Sequence, residues 1–166
     1  MIDLEAHFGR SGSIVGYEDL MSVPDADKVA IAPVDFVCIR AGFAQLLLDM
    51  KKQPDPNVLF STRSAFDGRD TRLQQRVADS GVVALLADNS AVEASPARPC
   101  ADDHCAMLAL QAHCLFKLGR YLGEMWHLTE LADWLRANGR NRLLLTASPL
   151  CLPGGVGSPA TPVATV

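Results

Sequence analysis

"GVVALLADNS", residues 81–90, is the stretch on which the fold turns. From Val82 to Ala87 the chain is apolar without interruption, and it then changes abruptly to Asp88, Asn89 and Ser90. A strand with one wet face alternates, whereas a strand covered on both faces does not, and such strands belong to parallel sheets. The polar tip matters as much, because open α/β sheets hold their ligands at the carboxyl ends of the strands. Asp88, Asn89 and Ser90 are therefore candidate substrate-pocket residues, with a plain Asx-type turn as the alternative reading.

On both sides of this strand the pattern repeats. "DTRLQQRVADSG" (70–81) reads as a helix with Asp70 as N-cap, Leu73 and Val77 on one face and Gly81 at its end. Further upstream, "VDFVCIR" (34–40) reads as a strand and "AGFAQLLLDMKK" (41–52) as a helix, with Lys51 and Lys52 in its last turn, stopped by Pro54 and Pro56. Downstream, "AMLALQAHCLFKLG" (106–119) predicts a third helix and "RYLGEM" (120–125) a strand with Glu124 at an interior position. "HLTELADWLRANG" (127–139) predicts a helix capped by Thr129 and closed by Asn138-Gly139. "RLLLTA" (142–147) predicts another strand, and the Gly- and Pro-rich tail ends in residues able to add a last one. Residues 89–105 are polar and Pro-containing, the composition of a long surface loop. This alternation predicts an α/β fold, a mixed sheet with flanking helices, in a single domain over residues 1–166.

Composition narrows the function classes. The net charge is -4 with a pI near 5.5, and no basic run exists, which argues against nucleic acid or an anionic membrane as partner. No apolar run is long enough to span a bilayer, and "MIDLEAHFGR" (1–10) has no signal-peptide core. Five cysteines with no C-x-x-C do not read as a disulfide framework, so a reducing cytoplasm is the expected setting.

Chemistry concentrates between residues 86 and 124. A carboxylate at Glu124 inside a strand needs a partner. It is either a metal ligand or general acid/base, or one half of a salt bridge with Arg120 or Arg142. His113, on a mostly apolar helix, is a weaker candidate. Cys100, His104, Cys105, His113 and Cys114 lie close in sequence, but "CADDHC" (100–105) has no clean second ligand pair for zinc, and free cysteines beside a loop account for them better. Glu93 is expected to cap or hydrogen-bond a loop. "GGVGSPATP" (154–162) has neither the lysine nor the helix of a phosphate loop and reads as a tight crossing of backbones before the final strand.

Four segments together, "VDFVCIRAGFAQLL", "GVVALLADNSAVEASP", "HCLFKLGRYLGEMWHLTELADWL" and "LLLTASPLCLPGGVGSPATPVA", resemble the C-terminal half of the cyclase family of metal-dependent hydrolases, which includes bacterial kynurenine formamidase and isatin hydrolase. The "G-x-YLGE-x-x-x-L-x-x-LA" block and the "PL-x-L-x-G-x-x-GSP-x-x-P" ending are the most specific parts, and "IDLEAHFGR" resembles a mid-protein segment of the same family. The resemblance implies part of that family's swivelling β/β/α fold. It implies hydrolysis of a small amide or lactam, of the arylformamidase type found in tryptophan catabolism, by water activated on a divalent metal, Zn or Mn. The family's His-x-Gly-Thr-His-x-Asp-x-Pro-x-His metal motif has no counterpart here. Glu124 matches the family's glutamate, taken here as catalytic. The histidine that precedes it by about a dozen residues falls near Gln111 and Ala112, with His113 displaced, so Gln111 and His113 are the candidate metal residues.

Two expectations follow. The chain is part of a cyclase-type hydrolase, inactive alone because the metal motif is missing. Alternatively, it is a degenerate, non-catalytic relative acting as a homo-oligomeric binding or assembly module with no metal in this chain, since half a domain leaves apolar surface and bare strand edges.

Overall fold

The computed structural model describes residues 1–100 and 104–166. In chain order its first half runs β1 (Ile2–Asp3), α1 (Leu4–Phe8), β2 (Ile14–Val15), α2 (Tyr17–Asp27), β3 (Phe36–Arg40), α3 (Phe43–Asp49), α4 (Pro56–Thr62) and β4 (Ala65–Phe66). There follow α5 (Thr71–Ser80), β5 (Ala84–Ala87), α6 (Ala109–Gln111) continued by a π-helical stretch Ala112–Lys117, β6 (Tyr121–Gly123), α7 (Thr129–Ala137), β7 (Leu144–Pro149) and β8 (Ala160–Thr165). The middle of the loop at 89–105, residues 101–103, lies outside the described residues.

The uninterrupted apolar run becomes β5, and all four of its residues are buried. It lies in a four-stranded, all-parallel sheet of order β1-β3-β5-β6, with Cys38 opposite Leu86 and Leu86 opposite Gly123. Successive side chains leave by opposite faces. Val37, Ile39, Leu85 and Ala87 join a core with Leu73 and Val77 of α5, while Cys38, Ala84 and Leu86 meet Leu128 and Trp126 on the other side. Each such leucine or isoleucine stabilises the fold by roughly 1.5–3 kcal/mol. Gly123 is required where Trp126 crosses the sheet: a Cβ there would lie 2.7 Å from the Leu86 side chain.

Two smaller sheets flank this one. β2 and β4 pair in parallel, and the segment around Glu93 bridges to Phe66 as a further rung. β7 and β8 form an antiparallel hairpin. The α/β expectation and the mixed parallel and antiparallel pairing both hold.

Several local expectations are corrected. Lys51 and Lys52 lie beyond α3 in left-handed conformations (φ 47° and 69°), and Pro56, rather than only ending that helix, starts α4 behind an Asp55 cap. The predicted third helix is helical only from Ala109, because the Glu93 carboxylate fixes the N–H groups of Leu110 and Gln111 there, and it is π-wound from Ala112. Thr129 is the first residue of α7, and Leu128 occupies the cap position without a side-chain bond. "GGVGSPATP" lies in the exposed link between β7 and β8 and the start of β8, so it is no buried crossing of backbones. Cys100 and Cys105 are disulfide-paired, which a separation of five residues permits once the loop turns their Cα atoms to 6.4 Å; Cys38, Cys114 and Cys151 are free. Among the described residues, no helix is long and apolar enough to cross a membrane.

Candidate active site

The carboxyl ends of the four parallel strands form one polar edge. In sheet order the residues there are Asp3, Arg40, Asp88 and, just past β6, Glu124. At the β1–β3 corner, Arg40 contacts Asp3 Oδ1 at 3.0 Å and Glu5 Oε2 at 2.5 Å, while Arg10 and Arg136 hold the outer sides of Glu5 and Asp3. These charges neutralise one another.

At the tip of β5, Asp88 is fully buried and turns back into the fold. Its Oδ1 accepts the Ala41 N–H at 2.6 Å and its Oδ2 the Gly42 N–H at 2.8 Å, which fixes the turn from β3 into α3. Burial pushes its pKa up to about 6, against the pull of those two N–H groups and of Arg40. Asn89, also fully buried, donates to the Ser64 carbonyl at 3.3 Å, and its own Oδ1 and the Ser64 hydroxyl have no partner. Ser90 is exposed, and its hydroxyl accepts from Arg63.

Arg63 was not among the sequence candidates. It is buried, donates to the Ser95 carbonyl at 2.6 Å and lies over the rings of Phe60 and Phe43, at 5.1 and 5.9 Å from their centroids. Among the described residues no carboxylate comes within ion-pairing distance of it, and burial lowers its pKa. Nothing in "STRSAF" (61–66) marks it beforehand, since an arginine between polar residues reads as solvated surface.

The β6 end is built around Gln111. Its backbone N–H donates to Glu93 Oε1 at 2.8 Å, and its side-chain Nε2 donates to Glu124 Oε1 at 2.7 Å, so one residue links two carboxylates. Glu93 is fully buried and also accepts the Leu110 N–H at 3.1 Å. Its loop role is thus as expected, and Gly68 leaves the room for it, because a Cβ there would land on the Glu93 carboxylate.

Glu124 is not at an interior strand position. Pairing with β5 ends at Gly123, after which Met125 turns through φ 60° and the Met125 and Trp126 N–H groups bond to the carbonyls of Asn89 and Ala87. Glu124 is left half-buried at the sheet's edge. Burial raises its pKa, opposed by hydrogen bonds from Gln111 and the Val92 N–H, and the Glu93 charge adds to the rise. Neither candidate salt-bridge partner reaches it: Arg120 donates to the carbonyls of Val77 and Ala78, and Arg142 to that of Ala30. Both ring nitrogens of His113 are buried without a partner, so Gln111 rather than His113 meets the glutamate.

A divalent ion of the kind the fold family implies needs several convergent donors. Among the described residues no three His, Cys, Asp or Glu side chains come together, and the Gln111 amide turns its N–H, not its oxygen, toward Glu124. The residues present do not fit a metal by themselves. A hollow of about 310 Å³ opens elsewhere, at the opposite edge of the sheet, lined by Met1, Val34, Phe36, Leu143 and Leu145, away from these carboxylates.

This arrangement superposes on a crystal structure described as a novel cyclase, with a TM-score of 0.77 and 29% sequence identity over 99% of this chain. The chain has a cyclase fold. Membership of the cyclase family is supported by that likeness, and the chain spans about half (52%) of the cyclase neighbour's length. No protein-family model and no curated protein matches the cyclase-like sequence.

Proposed function

We propose that this chain is a cyclase-family protein that contributes the Glu124 edge of a site for hydrolysing a small amide or lactam, such as an N-formyl aryl amide, and that it neither holds a Zn or Mn ion nor turns over substrate by itself. The observation that carries this reading is Glu124: a half-open carboxylate, its pKa raised, at the carboxyl end of β6, the edge strand of the parallel sheet, tied to Gln111 rather than to a cation. A carboxyl group moved toward neutrality is suited to take or give a proton at a reacting amide. Gln111 orients it, and Glu93 behind Gln111 fixes the orienting residue.

The test is complementation. The chain alone, with Zn or Mn, is expected to give no hydrolysis of an N-formyl aryl amide above background. Mixing it with a polypeptide equivalent to the part of the cyclase neighbour that it does not cover is expected to give activity that Glu124→Gln abolishes. Metal-dependent turnover by the chain alone, or complemented activity indifferent to Glu124, overturns the reading.

A second reading, a non-catalytic binding or assembly module, is favoured by the absence of a three-donor cluster among the described residues and by the exposed apolar side chains of the β7–β8 hairpin.

A further inference from the structure

We infer that Arg63 is the recognition residue of an anion site that does not involve Glu124 and that takes a small aryl carboxylate. Among the described residues two basic side chains are buried, and the fold treats them differently. Arg40 faces the carboxylates of Asp3 and Glu5. Arg63, only 5% exposed, pairs with no carboxylate among the described residues. Its two printed partners, the Ser90 hydroxyl and the Ser95 carbonyl, are both neutral. Neutral acceptors satisfy N–H groups without cancelling a charge, and a charge enclosed without a counter-ion is held at a cost.

The chain's own enclosed carboxylates are already engaged. Asp88 takes the N–H groups of Ala41 and Gly42. Glu93, on the loop between Ser90 and Ser95, takes those of Leu110 and Gln111. The counter-ion of Arg63 therefore comes from outside. A guanidinium has five N–H donors in a planar fork that matches the two oxygens of a carboxylate, and the protein uses two of them. One cation balances one negative charge, which favours a carboxylate over a phosphate group with nearly two.

Phe60 sets the apolar half of the ligand. The Arg63 guanidinium carbon lies 5.1 Å from its ring centroid and 5.9 Å from that of Phe43. Phe43 is 5% exposed and belongs to the interior, whereas Phe60 is 60% exposed and leaves an aromatic ring open beside the cation. An aryl carboxylate gives its charge to Arg63 and its ring to Phe60. Ser90 marks the way in. It is exposed, and its hydroxyl is the acceptor that a carboxylate oxygen replaces with a stronger, charge-assisted bond.

Calorimetric titration of the purified chain with sodium benzoate tests this. Benzoate has no amide, so the result is independent of hydrolysis at Glu124. The expected result is saturable one-to-one binding. Arg63→Met keeps the apolar stem without the fork and should bind no benzoate. Arg63→Lys keeps the charge without the fork and should weaken binding about tenfold. Phe60→Ala changes an exposed position and should erase the advantage of benzoate over acetate. Hydrogen exchange reads the same contact in the unaltered chain: benzoate should slow exchange over residues 60–64 and 89–95. The inference is overturned by a wild-type chain that shows no saturable binding, by binding that survives Arg63→Met, or by protection confined to other segments. Inorganic phosphate that displaces benzoate with equal affinity overturns it too.

Discussion

Asp88 at the end of β5 and Glu124 at the end of β6 occupy equivalent places on neighbouring strands, and they are used in opposite ways. Asp88 is fully enclosed, and each of its oxygens takes a backbone N–H from the β3–α3 turn. Glu124 is half-open, and its side-chain partner is an amide that is itself anchored by Glu93. Burial raises the pKa of both. A perturbed pKa alone therefore does not separate a structural carboxylate from one available for chemistry; what separates them is whether solvent or a ligand still reaches an oxygen.

The sharpest way to break this contrast is Asp88→Ala. It leaves the buried N–H groups of Ala41 and Gly42 without acceptors, which costs roughly 2–4 kcal/mol for the two. The urea midpoint should fall accordingly. A change under 1 kcal/mol would mean that Asp88 is not the pin of the β3–α3 turn.

The pH dependence of the same residue is next in size. Its folded pKa of about 6 lies above the unfolded value of 3.8, so between these values the folded state binds the proton and the unfolded state does not. Stability then falls as pH rises through that window, by up to roughly 3 kcal/mol at 1.4 kcal/mol per unit. Asp88→Asn, which does not titrate, should abolish that component of the slope from pH 4 to 6 in urea titrations. An unchanged slope would assign the titration to another group.

How far such distinctions are legible in the sequence depends on whether a residue's partners are local. β5, α5 with its Asp70 cap and Gly81 terminator, and the α/β alternation are legible because their signals are contiguous. The late start of the next helix at Ala109 is not, since the N–H groups of its first turn are held by Glu93, which lies 17 residues before Leu110. The displaced position of His113 is visible in sequence, but that Gln111 takes the contact with Glu124 is a matter of helix phase. Arg63 was missed for the same reason: its burial depends on Phe43, Phe60 and the Ser90–Ser95 loop, none of which its neighbours announce.

Gly68→Ala probes the support behind Glu124. The added methyl displaces the Glu93 carboxylate, which is fixed by two N–H groups, at a cost of roughly 1–3 kcal/mol by overpacking. Hydrogen exchange at Leu110 and Gln111 should accelerate with it. Unchanged exchange there would show that Glu93 does not hold Gln111 in place.

The smallest effect belongs to Glu124→Gln, and its sign is the informative part. Because Glu124 is half-open, water screens its charge, so the stability change at pH 7 should stay under about 1 kcal/mol. The folded pKa is raised, so wild-type stability is lost as pH rises from the unfolded value through the folded one, while the glutamine variant carries no such loss. The variant should therefore be more stable relative to wild type at pH 7 than at pH 4, as read from paired urea midpoints. An equal difference at both pH values would mean that Glu124 ionises as freely as a surface carboxylate. Neither the Glu93 charge nor burial would then be preparing it for proton transfer, and Asp88 and Glu124 would differ only in how tightly they are packed.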